Sequence, residues 1–368
     1  MNVIVVGAGI AGLLTALQVL KNGEADVIVF EKRREVGRKH CAGIVSTRVV
    51  ELIDAYDFIE ASYRTLCISI PLTKIRLKIS CDRVFAHKID RVEHERYLAQ
   101  VVEELGGKIF LQSNVMKVEP HSKNAVAYVH KEGSVIKISG DFVVVAEGVE
   151  RRIANSLGLR SVEHRRYGIQ TVIETIRGLE EDRIDVVYDP INIEGFAWIA
   201  SLSRRKALIG IVAQSNVLER LSMLLRCLDK YVGVSRVVER PFGGIVLRGY
   251  PIRIGLGKVV GVGDCVSMVK SVSGGGLYAI SIASRMVAKL VSSNRIDALH
   301  ELSNLCMELR RQYLLAKFVD TILKELSMFK TFSKWIEVEI AITELDWDKH
   351  VDLIKRLARF VKRISVVS

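Results

Sequence analysis

Three glycines near the start constrain the chain most. Gly7, Gly9 and Gly12 stand in the spacing G-x-G-x-x-G, directly after the apolar run Val3–Val6. Ile10, Leu13, Leu14, Leu17 and Leu20 then recur at helical spacing. A second apolar run, Val27–Phe30, stops at Glu31. Strand, tight turn, helix, strand and acid, in that order, form the setting in which this glycine pattern holds a dinucleotide. Gly7 makes the turn, Gly9 lets backbone approach a pyrophosphate, and Gly12 allows helix and strand to pack closely. The helix N-terminus offers unpaired N–H groups to the phosphates. Glu31 is suited to accept both hydroxyls of an adenosine ribose, which disfavours a 2′-phosphate. These residues alone allow NAD or FAD.

The rest of the composition narrows the class. With 368 residues, 49% hydrophobic and 26% charged, the chain has material for one large or two medium folded domains. Its net charge of +12 attracts anions: nucleic acid, anionic lipid or a phosphorylated substrate. No zinc finger, glycine/arginine tail or basic-aromatic repeat is present, so a nucleic-acid partner is not expected. The six cysteines include no C-x-x-C pair, so no metal is expected either. No run of eighteen uncharged apolar residues occurs, and the N-terminus opens directly into a strand. The expectation is a cytoplasmic protein, with peripheral contact with a membrane surface left open.

Further candidates follow along the chain. After Glu31 comes a basic, glycine-containing segment in which Arg38, Lys39 and His40 can face a pyrophosphate. Cys41, Ala42 and Gly43 can run past a cofactor ring; Cys41 is a core thiol, a proton relay or a redox thiol. Residues 64–81 alternate as two strands. Arg91 opens a helix and is either a ligand for phosphate or ribityl oxygens or a surface charge. Phe142–Ala146 reads as a buried strand returning to the nucleotide domain. Residues 166–213 are strand-rich, and Phe196 and Trp198 share a face there, as core or as the wall of an apolar cavity. A second glycine constellation follows the strand Lys258–Val260: Gly261, Gly263 and Asp264, then Ser271–Gly276 leading into a helix from Leu277. Asp264 can bond a ribityl chain. From residue 297 the chain reads as mainly helical, ending in the basic amphipathic segment Trp347–Ile364, which packs on the body or meets a membrane or partner.

Four segments together carry a resemblance: GAGIAG at Gly7–Gly12, EKRREVGRKHCAG at Glu31–Gly43, IDR at Ile89–Arg91, and GVGDCVSMVKSVSGGG at Gly261–Gly276. Over roughly residues 1–300 the chain resembles the geranylgeranyl reductase family, within the aromatic-hydroxylase-like flavoproteins. The resemblance implies an α/β chain: a Rossmann-like FAD-binding domain, an antiparallel-sheet substrate domain and a helical C-terminal region. The expected boundaries are 1–63 with 84–160 and 255–295, then 64–83 with 161–254, then 296–368.

The resemblance also implies roles. Gly7, Gly9 and Gly12 would hold the FAD pyrophosphate, and Glu31 the adenosine ribose. Lys32, Arg38 and Cys41–Gly43 would line the cofactor, Arg91 would reach it, and Gly263 and Asp264 would bind its ribityl–phosphate part. Gly274, Gly275 and Gly276 would lie by the flavin ring, with Phe196 and Trp198 in the substrate cavity. Two departures are visible. Ser271–Ser273 lacks the family's proline ahead of the late glycines, and Ile199 and Ala200 replace an aromatic–proline pair. The expected function is reduction of polyprenyl C=C bonds, in isoprenoid diphosphates or archaeal-type lipids, by hydride from reduced flavin. The alternatives are an FAD monooxygenase of an apolar or aromatic substrate and a flavin-containing nucleic-acid-associated or interaction protein. The electron donor, NAD(P)H or ferredoxin, stays open, as does a reducing partner protein.

Overall fold

The structure, a computed structural model, describes residues 1–23, 25–293, 296–328 and 335–348. Contacts divide the chain into two compact units. The first holds Met1–Arg38, Arg91–His164 and Leu247–Tyr313; the second holds Lys39–Asp90, Arg165–Val246 and the described residues from Leu314 on.

The first unit is built on a sheet of order Gly255–Leu256, Val259–Gly261, Phe142–Val145, Asn2–Val6, Asp26–Phe30, Lys108–Phe110. All its pairings are parallel except that of the outermost two-residue strand. Asn2–Val6 lies centrally, with Val5 opposite Val29 on one side and Val144 on the other. That explains its unbroken apolar run: a parallel strand covered on both faces has no polar side, and Val3, Ile4 and Val5 are buried. The helix Ile10–Lys21 packs against the helices Arg91–Glu104 and Leu277–Ser293. Thr15 Oγ1 and Ser284 Oγ meet at 3.0 Å between two of them. Residues 114–140 form a separate antiparallel three-stranded sheet.

The second unit is dominated by a mostly antiparallel sheet. From Lys206–Ala213 its order runs through Gly195–Ser203, Arg183–Asp189, Thr65–Ile70 and Ile75–Cys81 to Ile336–Ile342. Two pairings are parallel, Arg183–Asp189 with Thr65–Ile70 and Ile336–Ile342 with Ile75–Cys81. The segment Lys39–Asp90 groups with this sheet, whereas the sequence boundaries set 1–63 beside 84–160. The physical reason is a small sheet in which Ala86–Ile89 pairs with both Ile44–Ser46 and Ile59–Tyr63. It also carries Tyr63, Phe85 and Ala86 into the large sheet's apolar cluster.

The C-terminal region begins as expected with a helix, Ile296–Met328. It then includes a strand that helical expectation passed over. I-E-V-E-I-A-I at Ile336–Ile342 alternates, and Val338, Ile340 and Ile342 pack half-buried on the sheet's cluster. The basic segment expected at 347–364 lies beyond Asp348 outside the described residues.

Candidate functional site

In the first unit, glycine works by exclusion. Gly7 has φ +99°, and a Cβ there would stand 2.6 Å from the Ala146 carbonyl oxygen. A Cβ on Gly12 would overlap the carbonyl oxygen of Gly7. Both positions are therefore closed to any side chain. Gly9 is the opposite case: nothing stands within 4 Å of where its Cβ would be. It caps the Ile10–Lys21 helix with no side-chain hydrogen bond, and the first turn holds no acid. The helix end thus offers its N–H groups and positive end to open space, which suits an anionic pyrophosphate. Glu31, buried at the end of its strand, accepts the Ala8 N–H at Oε2 (2.8 Å) and the Arg33 N–H at Oε1 (2.9 Å). Each oxygen retains a lone pair for a ribose hydroxyl.

The second glycine constellation reaches the same helix. Gly263 has φ +83°, and a Cβ there would come within 2.9 Å of Ala11 Cβ. Asp264 follows; its Oδ1 is 3.7 Å from the Cβ position of Gly276. Desolvation pushes the Asp264 carboxyl up, and the Arg91 guanidinium pulls it part of the way back. Arg91, buried and ion-paired to Glu95 at 2.5 Å, is therefore no surface charge. Gly274 has φ +73°, and Gly275 lies beside Lys270 and Ser273. Gly7, Gly9, Gly12, Glu31, Arg91, Gly263, Asp264 and Gly274–Gly276 all belong to this unit. Lys32 and Arg38 are exposed, and Lys32 pairs with Glu150. The sequence reading missed Ala146, whose carbonyl walls Gly7, and Ala11, on which Gly263 closes. Only their small size was a signal.

The remaining candidates lie in the second unit. Cys41 is exposed; Gly43 has φ +71°, and its carbonyl accepts the Ile89 N–H at 2.9 Å. Lys39 pairs with Glu239 at 2.6 Å and covers the Phe242 ring. Ala42, Phe196 and Trp198 share one apolar cluster with Tyr63 and Phe242. The Phe196 and Trp198 rings are 5.8 Å apart, and Trp198 is 9% exposed. Opposite Trp198 on the next strand sits Gly210, where any Cβ would overlap the indole. Two buried donors in this cluster, Tyr63 Oη and Trp198 Nε1, have no hydrogen-bond partner among the described residues. An unmade buried hydrogen bond costs about 1–3 kcal/mol, so a ligand or water acceptor is the ordinary explanation. Burial, reinforced by Glu60, pushes the Tyr63 phenol up and keeps it a neutral donor. Tyr63 was missed because no motif surrounds it. Gly210 could have been found, since a glycine inside a strand marks close approach of a neighbour. Among the other thiols, Cys67, Cys81 and Cys265 are buried, with Cys81 pushed up to about 11 by burial, while Cys227 is exposed.

A parallel sheet, a glycine turn into an uncapped helix and a buried acid after the next strand define a dinucleotide-binding protein. The chain matches the FAD binding domain family over residues 1–206, more than half its length, and belongs to it. FAD is its cofactor. It is 23% identical to the digeranylgeranylglycerophospholipid reductase of Methanococcus aeolicus, over 98% of this chain and 95% of that one. The reductase of the same name from Thermoplasma acidophilum is 22% identical, covering 96% and 91%. Among solved structures, a geranylgeranyl bacteriochlorophyll reductase-like protein from Thermoplasma acidophilum aligns with TM-score 0.74 at 18% identity, covering 91% and 93%. The expected α/β fold with its Rossmann-like FAD-binding part is what these comparisons show.

Proposed function

We propose that the protein is an FAD-dependent reductase that saturates carbon–carbon double bonds in the polyprenyl chains of a lipid or isoprenoid diphosphate. The observation that carries this reading is the extent of the likeness to reductases of digeranylgeranylglycerophospholipid. It runs past the FAD-binding match at residue 206 and covers 98% of the chain. The FAD supplies two-electron redox chemistry. The chain's residues supply the rest. Gly7, Gly9, Gly12 and Glu31 hold the adenosine and pyrophosphate half. Arg91 and Asp264 hold the ribityl–phosphate part, with Lys32, Arg38 and Cys41–Gly43 along the cofactor and Gly263 and Gly274–Gly276 beside it. Phe196 and Trp198 bind the apolar chain and keep water away from it, which an unactivated alkene requires.

Cys41, an exposed thiol next to the cluster member Ala42, is the candidate for proton relay. A membrane surface and a reducing partner, NAD(P)H or ferredoxin, complete the reading. The test is anaerobic: reduce the holoenzyme, add a geranylgeranylated glycerophospholipid, and follow flavin absorbance and product mass. The expected result is reoxidation without oxygen and gain of two hydrogens per double bond, with Cys41→Ser slowing the step. Reoxidation only when oxygen is admitted, with a hydroxylated product, would replace this reading by a monooxygenase.

A further inference from the structure

The helix Ile296–Met328 carries an apolar stripe on the wrong side. Leu305, Leu309, Tyr313, Ala316 and Leu323 are buried and form its packed face. Leu314, Phe318 and Ile322, spaced i, i+4, i+8, lie on the opposite face and are 52%, 61% and 37% exposed. Met307, two turns earlier, continues the same line and is 48% exposed. The three-residue core of the stripe spans roughly 12 Å along the axis. Isolated apolar residues on a surface are ordinary; a continuous stripe with a polar border marks an interaction site.

The border here is basic. Arg310, Arg311, Lys317 and Lys324 are exposed along the stripe's flanks, against one exposed acid, Glu325. The other acids between Met307 and Glu325 are withdrawn: Glu308 is half-buried and accepts from Gln312, and Asp320 accepts the Tyr188 hydroxyl. An apolar line between long basic side chains suits the headgroup region of an anionic bilayer. There the ring and aliphatic groups enter the acyl boundary while Lys and Arg stems extend to the phosphates.

Charge separates this occupant from the others. A second copy would set the same basic flanks against each other, on a chain of net charge +12. The chain's own residues 349–368 hold six Lys and Arg against one Asp, the same sign again. We propose that the outer face of Ile296–Met328, centred on Leu314, Phe318 and Ile322, docks the protein on an anionic lipid surface. The proposal stands on the helix and not on the reductase reading, and its readout is binding without turnover.

The experiment is sedimentation of the FAD-loaded protein with sucrose-loaded vesicles of phosphatidylcholine alone or mixed with phosphatidylglycerol. The expected result is retention on the mixed vesicles, weakened by salt, and at least a tenfold fall in partition for Leu314→Glu and for Phe318→Glu. Phe318→Leu should retain binding. Tyr231→Glu, which removes a still more exposed ring on a different helix, should also leave it unchanged. Flavin content and Tm equal to the parent's certify each variant; should the glutamates unfold the chain, Phe318→Ser reads the same loss. Absence of binding to mixed vesicles, undiminished binding by the folded stripe variants, or an equal loss with Tyr231→Glu overturns the proposal. So does a concentration-dependent dimer abolished by the same substitutions without vesicle binding.

Discussion

In the first unit the candidate site is a set of places where side chains are missing; in the second it is a set of places where they are large. Gly7 and Gly12 are closed to a Cβ by backbone oxygens, and Gly9 faces open space. The surface offered there is main chain and helix dipole, which suit a constant group such as a pyrophosphate. In the second unit Tyr63, Phe196, Trp198 and Phe242 fill an apolar cluster under the sheet, and volume and shape decide what fits. The contrast matches the division of labour proposed above: a cofactor that never varies and a chain-like substrate that is selected by an apolar surface.

The contrast breaks if the glycines are merely structural. Gly12→Val forces a side chain into the Gly7 carbonyl and pushes the Ile10–Lys21 helix off its strand. The expected effect, the largest of the three, is loss of FAD affinity by at least about 100-fold, or ~2.7 kcal/mol. Flavin fluorescence titration of the apoprotein measures it. A variant that binds FAD normally would show that the turn is not the pyrophosphate site.

The second unit should respond in the reverse sense. Gly210→Val places two methyl groups in the volume of the Trp198 indole, so the ring must swing out of the cluster. Overpacking of this kind costs about 1–3 kcal/mol of stability. FAD binding should stay within about twofold, while kcat/KM for the lipid substrate falls by about tenfold or more. Equal loss of flavin and turnover would mean the two sets of residues do not divide as proposed.

The same contrast explains what could be read without coordinates. Gly7, Gly9, Gly12 and Glu31 are legible because a tight turn and a close approach admit one residue type at a fixed spacing. The central strand Phe142–Val145 is legible because burial on both faces leaves no polar residue in it. Phe196 and Trp198 are legible as aromatic residues of one face, but core and cavity wall demand the same composition, so periodicity could not choose. Tyr63 was invisible because the cluster that buries it also draws on Trp198 and Leu345, far off in sequence. The strand Ile336–Ile342 was overlooked between helical patterns although it alternates, because its pairing partner Ile75–Cys81 lies about 260 residues earlier. Arg91 needed the fold outright, since only the proximity of Asp264 and Glu95 separates a buried guanidinium from a surface one.

The smallest expected effect sharpens the comparison from the polar side. Asp264 is the one acid in the late glycine loop, and desolvation raises its carboxyl pKa from 3.8 despite Arg91. A carboxyl whose folded pKa lies above its unfolded one is more readily protonated in the native state. Its contribution therefore favours folding at low pH and is lost as pH rises through the folded value. At pH 7, well above the unfolded value, burial of this group therefore opposes folding of the apoprotein. Asp264→Asn should raise the apo Tm at pH 7 by a few degrees, on the order of 2 °C, and the gain should shrink as the pH falls towards 4. The same variant should bind FAD more weakly, by about tenfold, if the carboxylate accepts hydrogen bonds from the cofactor. Differential scanning across pH 4–8 with and without FAD separates the two effects. A variant that gains apo stability and keeps full FAD affinity would show the acid to be a cost with no ligand to offset it. A variant that loses both would make Asp264 a structural partner of Arg91, as much a packed residue as Trp198.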